Sequence, residues 1–384
     1  MKKALSGLVL AVAAASFLVL APPLAERRFN RVLPRQPYHP SQRGRDLHAR
    51  LLVADLHADS LLWGRDLLLR ASRGHVDVPR LVEGRVTLQA FTVVTQVPRG
   101  ANIERNAADT DSISLLAFSQ RWPPRTWRSF RERALYQAER LRDTAQRSKG
   151  KLVLVRSREE LAAFLDRQSR EPAIVGALLG LEGGQALEGD VRNVDVLYDA
   201  GFRMASLSHF VDTDLAGSAH GVAEGGLTEK GRAIVRRMEE RGIILDLAHA
   251  SPRTIVEALA LARRPVVVSH TGVKGTCDNL RNLTDDEIRG VARTGGIVGI
   301  GYWETAICGG DGKAVARAIR HAVDVGGSDH VALGSDFDGA IAAPFDTAGL
   351  VEVTDALLGA GLSETEIAKV MGQNAVRVLQ SALP

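Results

Sequence analysis

The amino-acid sequence predicts an α/β protein built as a (β/α)₈ barrel, and three observations favour this fold class. Short apolar runs alternate with helical patterns from residue 51 onward, as in a parallel sheet whose strands are joined by helices. Eight runs of this kind follow one another, and eight parallel strands close a barrel. No glycine-rich fingerprint follows the first run, which counts against an open dinucleotide-binding sheet.

The predicted barrel strands are short and rich in β-branched or apolar residues. A further short strand at 151–155 ends without a chemically active residue and is predicted to be peripheral. The eight barrel strands are predicted at 51–57, 86–94, 172–181, 202–207, 243–247, 265–268, 296–301 and 331–334.

Helical patterns lie between these runs, and several carry start signals. Thr228 and Thr284 are predicted N-caps, and Pro252 stands at a first helical position. Acidic residues follow Thr284, where they suit the helix dipole. Helices are predicted at 228–241, 252–263, 284–294 and 313–326, and a long helical stretch at 103–147 is broken at Pro123-Pro124.

The N-terminal region is predicted to lie outside the barrel domain. Lys2-Lys3 precede an apolar run that ends near residue 25, and Arg27-Arg28 follow it. This pattern is typical of a secretory signal or of an uncleaved membrane anchor, and both remain open. We therefore divide the chain into a signal or anchor at 1–25, an Arg- and Pro-rich linker at 26–45 and a barrel domain at 46–384. A location in a bacterial cell envelope, periplasmic or extracytoplasmic, follows from either alternative.

The composition restricts the classes of partner. Apolar residues make up 45% of the chain and charged residues 24%, as in a globular protein with a large core. The net charge of +4 is not concentrated in a basic block interleaved with aromatic residues, so nucleic acid is not expected as a partner. Cys277 and Cys308 allow one disulfide at most.

Polar residues recur at the C-terminal ends of the predicted strands. In a parallel barrel these ends converge on one rim, where active sites are built. A strand-end histidine is often structural, but the same placement in strand after strand favours a shared site. The residues concerned are His57, Asp59, Glu182, His209, His249, His270 and Asp336. The other histidines considered, His75, His220, His321 and His330, fall in loops or helices and are predicted to lie at the surface, and His48 lies near the linker.

These strand-end imidazole and carboxylate groups are numerous enough to bind two divalent metal ions. His57 and Asp59 stand two positions apart, so in an extended chain both point the same way. Glu182 is the best candidate to bridge the ions, because Gly183-Gly184 follow it and allow close approach to the backbone. The donor set favours zinc, with manganese and cobalt left open.

The sequence resembles the membrane dipeptidase, or renal dipeptidase, family of zinc peptidases, peptidase family M19, over about residues 46–382. Motifs in the order typical of the family carry the resemblance. They are Asp55-Leu56-His57-Ala58-Asp59, Leu181-Glu182-Gly183-Gly184, Leu207-Ser208-His209, Asp246-Leu247-Ala248-His249-Ala250-Ser251, Val268-Ser269-His270, Arg281-Asn282-Leu283-Thr284-Asp285-Asp286 and Gly334-Ser335-Asp336-Phe337-Asp338-Gly339.

The resemblance implies a metal-dependent amidohydrolase barrel with two zinc ions and a dipeptide substrate, attacked by a metal-bridging hydroxide. It implies that His57 and Asp59 hold one ion, that His249 and His270 hold the other, and that Glu182 bridges them. It further implies that His209 binds the scissile carbonyl oxygen, that Arg281 binds the substrate carboxylate and that Asp336 transfers the proton. The catalytic set is thus Asp336, His209 and Glu182. Asp338 is left out as a turn residue.

Some properties of the family are not expected of this chain, and some alternatives stay open. Residues 210–218 look like the bacterial version of the family, so the substrate preference of the mammalian members does not transfer. The family also implies a disulfide between Cys277 and Cys308 in oxidising compartments. A non-peptide amidase or lactonase on the same metal centre is the main alternative, and a catalytically dead binding protein is a weaker one. Attachment to a membrane through the N-terminus and a homo-oligomer are left open.

Overall fold

A computed structural model describes residues 18–34 and 39–384. Eight parallel strands form the centre of the fold, and we number them β1 to β8. They are β1 (Val53–Ala58), β2 (Val86–Val94), β3 (Val175–Glu182), β4 (Phe202–Ser206), β5 (Ile244–Asp246), β6 (Val267–Thr271), β7 (Ile297–Ile300) and β8 (Val331–Leu333).

The strands close into a barrel. Around the ring each strand pairs in parallel with its neighbour in sequence, from β1 through to β8. The ring closes where Leu333 of β8 pairs with Asp55 of β1. The predicted (β/α)₈ barrel is therefore confirmed. The short strand Leu152–Leu154 pairs with β3 and lies outside the ring. This confirms the prediction that it is peripheral.

The helices surround this ring and cover its outer face. Their described bounds are Gln42–His48, Val78–Glu83, Ser112–Ser119, Phe130–Arg147, Arg158–Arg170, Arg192–Ala200, Glu229–Arg241, Pro252–Leu261, Asp285–Arg293, Glu304–Ile307, Gly312–Gly326, Val351–Gly359, Glu364–Ala368 and Asn374–Ala382. Every residue of each barrel strand is buried, because the helices pack on one side and barrel side chains fill the other.

The predicted helix starts agree with the structure. The Thr228 hydroxyl accepts a hydrogen bond from the Gly231 N–H. Thr284 and Glu287 cap each other reciprocally in a capping box, which satisfies two backbone donors at the helix start. The predicted helix from 103 is wrong in its first part: residues 103–111 are not helical, and Asp111 caps a helix that begins at Ser112.

The predicted linker at 26–45 differs from the structure. Residues 18–29 are helical, and Arg31–Val32 pair in parallel with Ala342–Ala343. Glu26 and Asn30 are buried against the barrel domain. These residues have no apolar period because a buried ion cluster and backbone pairing hold them in place.

The predicted signal or anchor lies mainly outside the described residues, since residues 1–17 are not described. Among residues 18–34 and 39–384, none of the helices combines the length and the apolar character needed to cross a membrane.

The disulfide implied by the family resemblance is present. Cys277 and Cys308 are bonded, with a Cα–Cα distance of 5.3 Å. The bridge joins the loop after β6, which carries Arg281, to the end of the short helix Glu304–Ile307.

Candidate metal centre

The residues singled out in the sequence meet at one end of the barrel. His57 lies in β1 with Asp59 just after it, Glu182 is the last residue of β3, and His270 lies in β6. His209, His249 and Asp336 follow the ends of β4, β5 and β8. Parallel strands bring these ends to a common rim, so residues far apart in sequence become neighbours.

Glu182 lies at the centre of the cluster. Its Oε1 atom is 3.0 Å from His249 Nε2 and 3.2 Å from His270 Nε2. Its Oε2 atom is 3.6 Å from His57 Nε2 and 3.6 Å from His209 Nε2. One carboxylate therefore faces two sets of imidazole nitrogens, one with each oxygen.

Two further carboxylates, those of Asp59 and Asp336, lie near His57. The Nε2 atom of His57 is 3.6 Å from Asp59 Oδ1 and 4.0 Å from Asp336 Oδ1. The hydroxyl of Thr92 donates a 2.7 Å hydrogen bond to Asp59 Oδ1, which fixes that carboxylate. Within residues 18–34 and 39–384, three groups of ligand atoms come close enough to hold a metal ion: His57–Glu182–His270, Glu182–His209–His249 and His57–Asp59–Asp336.

The buried polar atoms of the site fit divalent cations. Among the described residues, His57 Nε2 and Glu182 Oε1 are buried and make no well-aligned hydrogen bond, so ionic contacts alone surround them. Leaving buried polar atoms without hydrogen bonds is costly. The Nε2 atoms of His249 and His270 lie 3.0 Å apart and both face Glu182. Imidazole nitrogens and carboxylate oxygens that converge in this way are the donors preferred by zinc.

A single serine orients two of the histidines. The Ser269 hydroxyl lies 3.0 Å from His57 Nδ1 and 3.0 Å from His270 Nδ1. A proton on each Nδ1 can be donated to this oxygen, which leaves both Nε2 lone pairs directed into the site. Ligating histidines are commonly held by such a contact on their other nitrogen.

Buried aspartates hold the strand ends that carry the candidate ligands. Asp55 accepts hydrogen bonds from the His57 N–H and from the Ser335 N–H and hydroxyl. Asp246 accepts from the backbone N–H groups of Ala248 and Ser269. These contacts fix the backbone on which the ligands are mounted, and burial raises the pKa of both aspartates.

The charges of the site are strongly coupled. Burial raises the pKa of Glu182, but His209 and His57 outweigh it and hold the pKa well below its usual range. Burial lowers the pKa of His57, but Glu182 and Asp59 raise it well above normal. Burial lowers the pKa values of His249 and His270 far below normal. These directions favour an ionised Glu182 and neutral imidazoles at His249 and His270, the forms that bind a metal ion. They favour a proton on His57, which a bound cation would displace to free the Nε2 lone pair.

The glycines after Glu182 have a local structural cause, and the close approach of a ligand predicted from the sequence stays a prediction. Gly183 has a φ of 94°, in the region that favours glycine. A Cβ atom on Gly184 would lie 2.5 Å from the Leu207 carbonyl oxygen. Both positions let the loop after β3 pack against the end of β4.

Arg281 is a buried cation beside this cluster. It is 5% exposed, its Nη2 donates a 2.6 Å hydrogen bond to the His270 carbonyl, and its guanidinium lies 5.5 Å from the centre of the Trp303 ring. Burial lowers its pKa to about 10. No carboxylate in the described part of the chain forms an ion pair with it, so the site contains a cation without a direct anionic partner.

His209 lies close to the same centre. Its ring is buried, 4.5 Å from the ring of His249 and 4.6 Å from that of Phe210 between centroids. Burial lowers its pKa.

The surface prediction for His75 and His220 is wrong, since both are fully buried. His220 Nδ1 lies 2.7 Å from the Ile103 carbonyl, and its ring packs at 5.2 Å from that of His249. His48 is also buried, between Thr354 and the Gly84 carbonyl. Loops after the strands fold inward here, and the sequence shows no period that would reveal it. His321 and His330 are partly exposed.

Asp338, interpreted from the sequence as a turn residue, is a fully buried anion. It accepts hydrogen bonds from the Ser60 hydroxyl at 2.6 Å, from the His75 N–H at 2.6 Å and from Arg65. Burial raises its pKa, but Arg65 and the His75 contact outweigh burial and hold the pKa below its usual range. It supports the loop that carries Asp336 rather than facing the metal ligands.

Comparison with known proteins agrees with this arrangement. The model of the membrane dipeptidase family, peptidase family M19, matches residues 41–383. An uncharacterized dipeptidase of Schizosaccharomyces pombe is 34% identical over 217 residues, 53% of this chain and 52% of that protein. Dipeptidase tcpJ of Claviceps purpurea is 30% identical over 321 residues, 80% of this chain and 69% of that protein. The match thus spans about half the length of the first of these relatives.

Solved structures share the fold. The probable dipeptidase PvdM from Pseudomonas aeruginosa superposes with a TM-score of 0.74 at 19% identity, over 89% of this chain and 98% of that chain. A metallopeptidase from Rhodobacter sphaeroides, bound to a phosphinate mimic of the dipeptide L-Ala-D-Ala, gives a TM-score of 0.71 at 24% identity, over 86% and 99%.

Proposed function

The chain belongs to the membrane dipeptidase family, and from that premise we propose that it is a metal-dependent dipeptidase acting on dipeptides with a free C-terminal carboxylate. The observation that carries this proposal is the pairing of a convergent metal-ligand cluster with Arg281, a buried cation that has no ion-pair partner in the described chain. A substrate carboxylate supplies that partner.

We propose that the centre holds two zinc ions. His57 and Asp59 would hold one ion, His249 and His270 the other, and Glu182 would bridge them, since its two oxygens face different histidines. Two divalent cations held in this way would lower the pKa of a shared water and polarise the scissile carbonyl. Ser269 supports the arrangement by holding His57 and His270 through their Nδ1 atoms.

Arg281 would recognise the terminal carboxylate. A guanidinium donates two parallel hydrogen bonds to a carboxylate, and its contacts with His270 and Trp303 hold Arg281 beside the metal ligands. The related Rhodobacter sphaeroides metallopeptidase binds a dipeptide mimic, which supports a dipeptide as the substrate here.

His209 and Asp336 would act on the reacting bond. His209 lies 3.6 Å from the Oε2 of Glu182, and we assign it to the scissile carbonyl oxygen, where charge develops. Burial raises the pKa of Asp336 well above its usual range, which suits a carboxylate that accepts a proton. Asp336 would take that proton from the attacking water and deliver it to the leaving amine.

We further propose a location in the cell envelope. The apolar run before residue 25 supports export, and the Cys277–Cys308 disulfide is of the kind formed in oxidising compartments.

The proposal is tested with metal-loaded protein and a panel of L-L and L-D dipeptides, together with N-blocked and C-amidated versions. We expect free dipeptides to be cleaved and their C-amidated forms to be poor substrates. Equal rates on amidated and free forms would refute carboxylate recognition and favour a general amidase or lactonase.

A further inference from the structure

Residues 26–33 contact the loop that carries Asp336, and the Asn30–Ala340 contact joins residues 310 positions apart. We call residues 26–33 the N-terminal clamp and residues 335–343 the catalytic loop. The contacts between them are buried and directional, which distinguishes the clamp from a linker.

The catalytic loop has a strained backbone. Asp336, Asp338 and Ala340 have φ values of 61°, 63° and 62°, in the left-handed region that non-glycine residues rarely adopt. Residues held there persist only where their surroundings fix them. The loop therefore depends on its partners for its shape.

A buried ion cluster provides one set of partners. Glu26 is 1% exposed and accepts hydrogen bonds from Arg65 Nε at 2.5 Å and from Arg73 Nε at 2.6 Å. Arg65 in turn donates to Asp338 of the catalytic loop. Glu26 thus fixes the arginine that holds the loop.

The backbone provides a second set. The Ala340 N–H donates to Asn30 Oδ1 at 2.9 Å, so the last strained residue of the loop is bonded to the clamp. The Arg31 N–H donates to the Ile341 carbonyl at 3.0 Å, and the Leu33 N–H donates to the Ala343 carbonyl at 2.8 Å.

His75 joins the two segments directly. The Asp338 N–H donates to His75 Nδ1 at 3.1 Å, so the ring proton lies on Nε2. That Nε2–H donates to the Arg31 carbonyl at 3.1 Å. One buried ring therefore bonds to the catalytic loop through one nitrogen and to the clamp through the other.

We propose that the N-terminal clamp positions Asp336, with Glu26 and Asn30 as its positioning residues, so that the functional catalytic unit extends N-terminally to residue 26. This inference rests on the proposed function for the role of Asp336. The clamp contacts none of the proposed metal ligands in the described structure. Loosening it alters proton transfer while leaving Glu182, His249 and His270, which follow or lie in other strands, in place.

The experiment compares Glu26→Gln with the wild-type full-length chain. We expect kcat on the best dipeptide to fall on the order of tenfold to a hundredfold, as for small displacements of a reacting group, with KM changed less than about twofold because Arg281 is not touched. Metal content per chain should stay at the wild-type value. Hydrogen exchange at residues 336–343 should become faster, while exchange at the ends of β3 and β5 stays the same. Asp59 is left out of this comparison because its N–H donates to the Phe337 carbonyl of the catalytic loop.

Three further variants complete the test. Glu26→Asp keeps the charge and should recover part of the kcat that Glu26→Gln loses. Asn30→Ala is a milder change that serves if Glu26→Gln fails to fold, and it should accelerate hydrogen exchange at Ala340. Glu171→Gln removes a carboxylate from a surface ion pair with Arg167 and should behave like wild type. Loss of a metal ion from the clamp variants, or unchanged exchange in the catalytic loop, would overturn the proposal. The exchange measurement needs no substrate, so it remains decisive even if the wild-type protein cleaves no dipeptide.

Discussion

Removing the guanidinium of Arg281 and removing the carboxylate of the substrate should delete one and the same interaction. The structure motivates this prediction because Arg281 is buried, is held by the His270 carbonyl and has no ion-pair partner in the described chain. The perturbations are Arg281→Ala in the protein and C-amidation of the dipeptide.

The expected magnitude follows from burial. Truncating one member of a buried charged pair typically costs about 2–5 kcal/mol, part of which comes from the partner left without its counter-charge. At about 1.4 kcal/mol per tenfold, this corresponds to a loss in kcat/KM of roughly 30-fold to several thousand-fold. Because Arg281 is almost fully buried, solvent screening reduces the effect little.

The assay is a double cycle of two enzymes and two substrates. Arg281→Ala should lose this factor on the free dipeptide but little more on the amidated one, since changes to the same contact are not additive. His209→Ala should slow both substrates alike, because that residue is assigned to the carbonyl. Arg192→Ala, an exposed arginine paired with Asp190, is the matched control and should leave kcat/KM unchanged. If Arg281→Ala cleaves free dipeptides as fast as wild type, Arg281 does not recognise the carboxylate.

Three further predictions follow from the buried groups around the centre. Glu182→Gln should bind fewer metal ions than wild type, measured by elemental analysis after dialysis, because a neutral bridge cannot balance two cations; full metal occupancy would contradict the bridging role. Ser269→Ala should weaken metal affinity by about 10–100-fold, measured by competition with a chelator, since it frees both His57 and His270; an unchanged affinity would show that Ser269 does not orient them. Burial, followed by the charge of Arg281, lowers the pKa of His220 to about 4, below its unfolded value of about 6.5. Neutral His220 therefore contributes stability that is complete above about pH 6.5 and is lost as the pH falls towards about 4. The melting temperature of His220→Asn should consequently fall less than that of wild type between about pH 7 and pH 5, and equal falls would contradict this assignment.

The barrel and the candidate ligand cluster could be predicted because both depend on a regular pattern. Apolar strand runs that end in His, Asp or Glu place those side chains on a common rim whenever the strands are parallel. His57, Glu182 and His270 were found in this way, and the structure brings them within metal-binding distance of one another.

Residues in loops could not be predicted by the same reasoning. His75 and His220 lie outside strands and helices, where no hydrophobic period indicates burial, so the sequence predicts a surface position for both. Their burial depends on hydrogen bonds to Arg31 and Ile103, residues far away in sequence.

The N-terminal clamp was missed for a related physical reason. Arg- and Pro-rich composition without apolar period is typical of a linker, and Glu26 is a charged residue of the type usually exposed. Its burial requires Arg65 and Arg73 to reach it, a relation between distant charges that single-sequence patterns do not contain.

Titration of metal-free protein with zinc tests the binuclear centre most directly. Chelation should reduce dipeptidase activity to background, and activity should rise with added zinc until about two ions are bound per chain, as expected for a carboxylate-bridged pair. Metal content measured on the same samples should reach the same value. Full activity with a single bound ion per chain would contradict the proposed centre.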